Sequence, residues 1–250
     1  GVAFWSSGLL KDTLSFGCIG YILYGLVKII FKKEDYFSSG IVIIISTYLL
    51  INIKIYILMA LAIGIVIWIF AEINKIIPDK TLRRVFSIMT FAGSIAAAYV
   101  LLNYLGSVEG ATEYKLDTLM ENAESQRQGY AAINQQLTGD SHFRINTSNP
   151  VSLFLNSIVA TFFRPFLWEV NSPVAILSAL ESAIFLLITI SLLIKAGVGN
   201  FFRHIFSDGR ILMSFIFAIV FAFAVGSSTA NFGALSRYKI PATPFYMIVI

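Results

Sequence analysis

Charged residues and cysteines are scarce in this chain. The first shortage argues against a soluble domain, and the second excludes an internal disulfide. Only 13% of its 250 residues are Asp, Glu, Lys or Arg, against the ~25% that is usual in soluble domains. With 57% hydrophobic residues and several long uncharged runs, the composition predicts a multi-spanning helical membrane protein. The single cysteine, Cys18, excludes a disulfide within this sequence and so reports no redox compartment.

The motifs of several common enzyme classes are missing as well. The sequence holds no zinc-ligand cluster, P-loop, dinucleotide-binding glycine pattern or nucleophile elbow. Membrane-spanning strands would alternate apolar and polar residues over about ten positions, whereas residues 41–45 and 215–225 are continuously apolar. We therefore predict an all-α, polytopic membrane protein that has no metal, no cofactor and no nucleic acid partner.

Apolar runs divide the chain into spans separated by polar or basic loops. Residues 40–71 form the longest run, which as one helix would measure about 48 Å and exceed a hydrocarbon core of ~30 Å. Because Asn52 and Lys54 interrupt this run and a lysine at mid-span is costly, we predict a hairpin with its tip at 52–54. The other predicted spans are 10–31, 85–105, 174–194 and 211–230, and 151–163 predicts a partial or interfacial helix.

A long polar segment separates two groups of predicted spans. We expect N-terminal transmembrane helices over 1–105, an external loop over 106–173 and C-terminal transmembrane helices over 174–250. Within the loop, apolar residues at helical spacing predict an amphipathic helix over about 112–128. Because the chain opens in a motif-like segment and stops inside an apolar run, we expect further membrane helices beyond both ends.

Positive charge indicates the orientation of the spans. The loops around Lys32, Arg83 and Arg203 are rich in basic residues, which favours a cytoplasmic position for all three. Two predicted spans separate each of these loops from the next, so the assignment is self-consistent, and it puts the acidic polar segment outside. The other unusual polar motifs then share the external side. These are 5–12, 52–54, 164–169, Glu181 and 231–239.

Charged and aromatic residues on that side are candidates for a site that takes an anionic substrate. Arginine binds phosphate through two parallel hydrogen bonds, and a desolvated carboxylate can act as a general base. We expect Glu169 and Asp12 as the catalytic residues, and we expect Arg164 and Arg237 to lie close together. The predicted substrate-binding residues are Arg164, Arg237, Lys11, Lys239, Trp168 and Tyr238.

Each of these residues also has a purely structural explanation. Arg164 and Lys239 have the character of headgroup anchors at the membrane surface. Lys11 and Asp12 are neighbours that can form a local ion pair. Two further alternatives are Trp168 as an aromatic belt residue and Glu181 as a packing partner of an arginine or asparagine.

Three short motifs resemble segments of bacterial membrane proteins from surface-polysaccharide gene clusters. They are Phe4-Trp-Ser-Ser-Gly-Leu-Leu-Lys-Asp12, Phe163-Arg-Pro-Phe-Leu-Trp-Glu169 and Asn231-Phe-Gly-Ala-Leu-Ser-Arg-Tyr-Lys-Ile-Pro241. Their general layout is similar to that of O-antigen polymerases and other polyprenyl-sugar-dependent membrane glycosyltransferases.

The resemblance implies an integral protein of the bacterial inner membrane that contacts membrane lipids. It would transfer or polymerise glycan units from a polyprenyl-diphosphate-linked glycan at the external face, with arginines on the diphosphate. Two alternatives stay open. One is a transporter or flippase of a lipid-linked or anionic solute, and the other is a structural subunit of a larger membrane assembly.

Overall fold

The computed structural model describes residues 11–79, 149–170, 173–229 and 231–250, together with scattered positions between 81 and 128. The described residues form helices and no β-strand. Four of the helices are long and apolar enough to cross a membrane, which confirms the predicted all-α membrane class. The predicted span at 85–105, the amphipathic helix at 112–128 and most of the 5–12 motif lie outside the described residues.

The helices of the described residues are numbered here in chain order. They are α1 (Lys11–Val27, continued by a π-helical turn at Lys28–Lys32), α2 (Tyr36–Ile76), α3 (Pro150–Phe163), α4 (Pro173–Ala196), α5 (Val198–Ser207), α6 (Gly209–Ser228), α7 (Phe232–Tyr238) and α8 (Thr243–Val249).

Polar side chains at three helix starts explain where those helices begin. The Asn149 side chain accepts a hydrogen bond from the Ser152 amide at 2.7 Å, directly before a proline that suits the first helical turn. Asp208 caps α6 by accepting from the Arg210 amide, and Asn231 caps α7. The three short breaks in the apolar sequence are thus helix boundaries.

Helix α2 breaks at Lys54 and folds back. Lys54 has non-helical backbone angles, φ −155° and ψ 82°. The rings of Phe31 and Trp68 stack with centroids 5.4 Å apart, whereas a straight helix would place Trp68 about 48 Å from Tyr36, out of reach of Phe31. The two arms of α2 therefore run in opposite directions, and the reversal lies in the 52–54 stretch where the length argument predicts a tip.

Close helix contacts join α1, both arms of α2 and α6 into one bundle. A β-carbon at Gly25 would lie 2.7 Å from the Ile43 side chain, and one at Gly209 would lie 2.9 Å from Ala71. Helix α1 therefore packs against the first arm of α2, and α6 packs against the second arm. The core between them is apolar, with Leu50, Ile57, Leu61, Phe217 and Phe221 fully buried.

Helix α3 runs into the bundle alongside α6, in the opposite direction. Its Ser157 backbone lies against Gly226, and its Thr161 hydroxyl donates to the Ala222 carbonyl at 2.8 Å. Helix α4 also runs antiparallel to α6, because it ends next to α5, which leads into the start of α6. Since consecutive helices α3 and α4 point the same way, the chain after Arg164 returns towards the end where α3 began.

The chain after α6 also turns back into the bundle. The Phe245 ring of α8 lies 4.4 Å from the ring of Phe217, about 16 Å before the end of α6 at Ser228. Tyr246 stacks on Phe162 at 4.2 Å. Helices α7 and α8 therefore descend beside α3 and α4, so α3, α4 and α7 meet inside the bundle.

The two ends of the bundle differ in character. At one end, called here the basic end, lie the Lys32 turn, the final turn of α2 and helix α5 with Arg203. The opposite end, called here the hairpin end, holds Asp12, Lys54 and the link between α6 and α7. The basic loops around Lys32 and Arg203 therefore share one end as the charge pattern predicts. The loop around Arg83 lies outside the described residues, and the side of the membrane that this end faces stays a prediction.

Candidate functional site

Arg164 and Glu169 form a two-point ion pair across the turn that follows α3. Arg164 Nε donates to Glu169 Oε2 at 3.0 Å, and Nη2 donates to Oε1. The Phe166 amide also donates to Oε2, at 2.9 Å. Pro165 disfavours helical conformation at Arg164, so the helix ends here and the carboxylate can reach back to the guanidinium. Glu169 thereby fixes the plane of Arg164.

Aromatic rings connect this ion pair to the surface. The Arg164 guanidinium carbon lies 5.6 Å from the centroid of Phe232 and 6.0 Å from that of Phe166. Phe166 stacks on Trp168 at 4.9 Å, with the two rings 14° apart. Phe232 is buried, whereas Trp168 is 80% exposed. The contacts of these rings therefore extend from the buried Phe232 to the exposed Trp168.

Lys239 is the most deeply buried charged residue of the site. It is 1% exposed, and its Nζ donates to Ser182 Oγ at 3.0 Å. Ser182 Oγ in turn donates to the Arg164 carbonyl at 3.0 Å. The Phe185 ring lies 5.9 Å from Nζ, and Glu181 is close enough for its charge to act on the ammonium. Ser182 thus links Lys239 to the turn that carries Arg164.

A second ion pair lies where α1, the break in α2 and α7 come together. Lys54 pairs with Asp12, with 12% and 9% of their side chains exposed. Lys54 Nζ also lies 4.4 Å from the centroid of Tyr238, and the Arg237 guanidinium lies 6.0 Å from the same ring. Asp12 is thus paired across 42 positions of sequence, while its neighbour Lys11 is exposed.

The Arg164 turn joins the buried side of α3 to the protein surface. Thr161 contacts Ala222, about 9 Å from the end of α6. Ser182, which contacts Arg164, lies about 13 Å along α4. The short helix predicted over 151–163 is present as α3, and Gly226 lets it pack along α6, while Leu167 and Trp168 in the turn are exposed.

Basic side chains outnumber acidic ones around α7. Four basic and three acidic residues lie there. A buried ion is costly unless it is paired. The four basic residues are Lys54, Arg164, Arg237 and Lys239, and the three acidic residues are Asp12, Glu169 and Glu181.

Most of the predicted site residues meet at α7. Tyr238, Arg237 and Lys239 belong to α7 or directly follow it, and Arg164 lies over the ring at its first residue. Lys11 stands apart, exposed at the start of α1. Ser182, which joins Lys239 to Arg164, is not among the predicted site residues. The sequence indicates this residue only by its position next to Glu181 in an otherwise apolar span. Serines are common in such spans, so the position alone does not predict a site residue.

No family model matches the chain, and no curated protein or solved structure is significantly similar to it. Within the described ranges, no group of three or more His, Cys, Asp or Glu side chains is placed to hold a metal ion. The function is therefore argued from the geometry around α7.

Proposed function

We propose that the chain is a membrane glycosyltransferase or polymerase that takes a polyprenyl-diphosphate-linked glycan, with the diphosphate bound around α7. The observation that carries the proposal is the cluster of four basic and three acidic residues around α7, in which Lys239 is 1% exposed. A diphosphate would be the counter-ion of the basic side chains in this cluster. Its oxygens also match the fork of hydrogen-bond donors that Arg164 presents.

The chain breaks around the cluster support a site for a lipid-linked substrate. Non-helical backbone at membrane depth is tolerated where protein or a cavity surrounds it, and substrate sites of membrane proteins often lie at such breaks. Here Lys54 at the break in α2 lies 4.4 Å from the Tyr238 ring, and Ser182 joins Lys239, just after α7, to the Arg164 carbonyl. A polyprenyl tail can stay in the hydrocarbon while its diphosphate enters between the helices.

In this proposal the two ion pairs keep the site closed until substrate arrives. A phosphate that takes over the Arg164 guanidinium releases the carboxylate of Glu169. The freed carboxylate accepts the proton of the acceptor hydroxyl. The oxygen of that hydroxyl forms a bond to the anomeric carbon of the donor sugar. The bond from that carbon to the phosphate oxygen breaks, and the diphosphate leaves with the electron pair. Asp12, paired with Lys54, is the second candidate for the base.

Binding of a polyprenyl diphosphate to the purified protein in nanodiscs tests the proposal. We expect saturable binding to the wild type, weakened at least tenfold by Lys239→Gln and by Arg164→Lys, because about 1.4 kcal/mol corresponds to a factor of ten. Arg210→Gln is the matched control, since Arg210 is an exposed cation at the basic end. Binding no tighter than that of phosphatidylglycerol, or an equal loss in the control, contradicts the proposal.

Transport of a lipid-linked or anionic solute is the second candidate, and the two returns of the chain into the bundle favour it. Transporters often place such broken helices at their substrate sites. Proteoliposomes loaded with a labelled polyprenyl-diphosphate sugar separate the two functions. A transporter moves the intact lipid between leaflets, whereas a transferase releases polyprenyl diphosphate and lengthens a glycan.

A further inference from the structure

Helix α5, at the basic end, has an apolar face of which the bundle covers only half. Ile205 is fully buried and points into the bundle. Val198, Phe202 and Phe206 follow one another at four-residue spacing and are 58%, 40% and 66% exposed. Residues at this spacing share one face of a helix. The apolar stripe therefore lies beside the buried face at Ile205, with Phe202 also 6.3 Å from the Phe215 ring of α6, and it is only partly covered by the bundle.

This stripe continues the outer surface of a transmembrane helix. Leu187, Ile190 and Ile194 of α4 are 64%, 44% and 76% exposed along one face. The chain then turns at Gly197, whose φ of 75° suits glycine and few other residues, and Val198 opens α5. Because the outer face of a membrane-spanning helix contacts acyl chains, the continuous surface around the turn points to lipid as the occupant.

Positive charge flanks the apolar stripe. Lys195 in the last turn of α4 and Arg203 in α5 are both exposed. The sequence has no acidic residue between Glu181 and Asp208, and the Asp208 carboxylate already accepts hydrogen bonds from Arg210. The surface around α5 is therefore cationic beside an apolar face, the combination that binds anionic membrane surfaces.

We propose that α5 lies in the membrane interface and that Lys195 and Arg203 bind the headgroup phosphate of an anionic phospholipid. Val198, Phe202 and Phe206 would then insert among the upper acyl chains. Long basic side chains suit this position because their stems lie along apolar surface while their charges reach the headgroups. The proposed lipid site is at the basic end, remote from α7, and does not depend on the proposed catalytic function.

The test is a titration of the protein with phosphatidylglycerol and phosphatidylcholine, followed by native mass spectrometry. We expect a preference for phosphatidylglycerol that falls about fivefold in Lys195→Gln and again about fivefold in the double variant with Arg203→Gln, since each basic residue contributes ~1 kcal/mol at an anionic surface. Arg203→Lys should keep the preference, because the charge remains.

Lys32→Gln is the matched control, because it removes one exposed charge from the same end but outside α5. It should change the affinity less than twofold. Equal affinity of the wild type for both lipids contradicts the proposal, and so does an equal loss in the Lys32 variant. If the double variant does not fold, the wild type still decides the question, because the preference must weaken as salt screens the charges.

Discussion

At the scale of single residues, the ion pairs of the site link stability to function. Glu169 accepts three hydrogen bonds, two from Arg164 and one from the Phe166 amide. Removing one member of a buried pair leaves the other charge without compensation, which usually costs more than the pair contributes. The two partners should therefore respond differently to substitution.

We expect Glu169→Gln to lower the free energy of unfolding by about 1–3 kcal/mol, less than a fully buried pair would lose, because both side chains are about one-fifth exposed. Arg164→Lys keeps the charge and should cost less stability, but it loses the two-point geometry that binds phosphate. Thermal unfolding in detergent and the binding assay measure the two effects. If Arg164→Lys is as stable and binds as tightly as the wild type, the pair serves packing alone.

A second prediction concerns pH and the start of α6, outside the membrane. A hydrogen bond from Arg210 holds the pKa of Asp208 well below its usual range. A lowered pKa stabilises the fold above the unfolded value of ~4 and loses that contribution as pH falls further. We expect the melting temperature of the wild type to fall below pH 4 more than that of Asp208→Asn, which keeps the cap. Parallel pH profiles would contradict this.

The sequence predicted several residues of the site, and it offered Glu169 as a counter-ion for Arg164, but it did not predict the other contacts. Arg164 and Lys239 were predictable because charges are rare and costly in an apolar chain. The pairing of Asp12 with Lys54 joins positions far apart in sequence, and it depends on where the break in α2 falls. The link from Lys239 to Arg164 depends on the rotation of α4 that turns Ser182 inward, which the apolar composition of the span leaves open.

At the scale of helices, direction was harder to predict than position. A short helix over 151–163 followed from the apolar run, and the structure has α3 at Pro150–Phe163. The sequence did not show that α3 descends along α6, because a fourteen-residue apolar helix fits both the interface and the interior. The contact that lets α3 pack along α6 is the one between Gly226 and the backbone of Ser157.

Gly226→Ala tests that contact. A β-carbon at this position would lie 2.7 Å from the Ser157 carbonyl carbon and 2.8 Å from its Cα, so the two helices must separate. We expect a loss of about 1–3 kcal/mol in stability, as for other overpacked cores. Gly20→Ala is the control, because a β-carbon there meets nothing within 4 Å. Equal melting temperatures of the two variants would show that α3 does not depend on this contact.

At the scale of the whole molecule, the Lys32 turn and α5 lie at the same end of the bundle. A single labelling experiment therefore orients the bundle in the membrane. The lengths of the apolar runs and the charges of the loops were enough to predict this grouping, because the bilayer limits the length of a span and biases the position of basic loops. The return of the chain after Arg164 was not predictable from length and charge, because a short helix that turns back changes neither the number of long apolar runs nor the charge of the loops.

Cysteines at exposed positions report the orientation. We expect a cysteine at Asn52 to react with an impermeant thiol reagent in intact spheroplasts, and one at Ser207 to react only after the membrane is opened. Both positions are exposed, whereas the native Cys18 is buried, so the wild type supplies the background. Labelling of Ser207 alone would reverse the orientation and move the site around α7 to the cytoplasmic side.

The stack that leads from Arg164 to Trp168 also gives the protein an optical reporter. The chain has three tryptophans, of which Trp68 is buried and 3% exposed, while Trp168 is 80% exposed. An indole whose outer face meets solvent changes its emission when a ligand or a lipid headgroup displaces that water. In a protein with Trp5 and Trp68 replaced by phenylalanine, the fluorescence of Trp168 would follow the arrival of a charged headgroup at Arg164 in real time, without an added label.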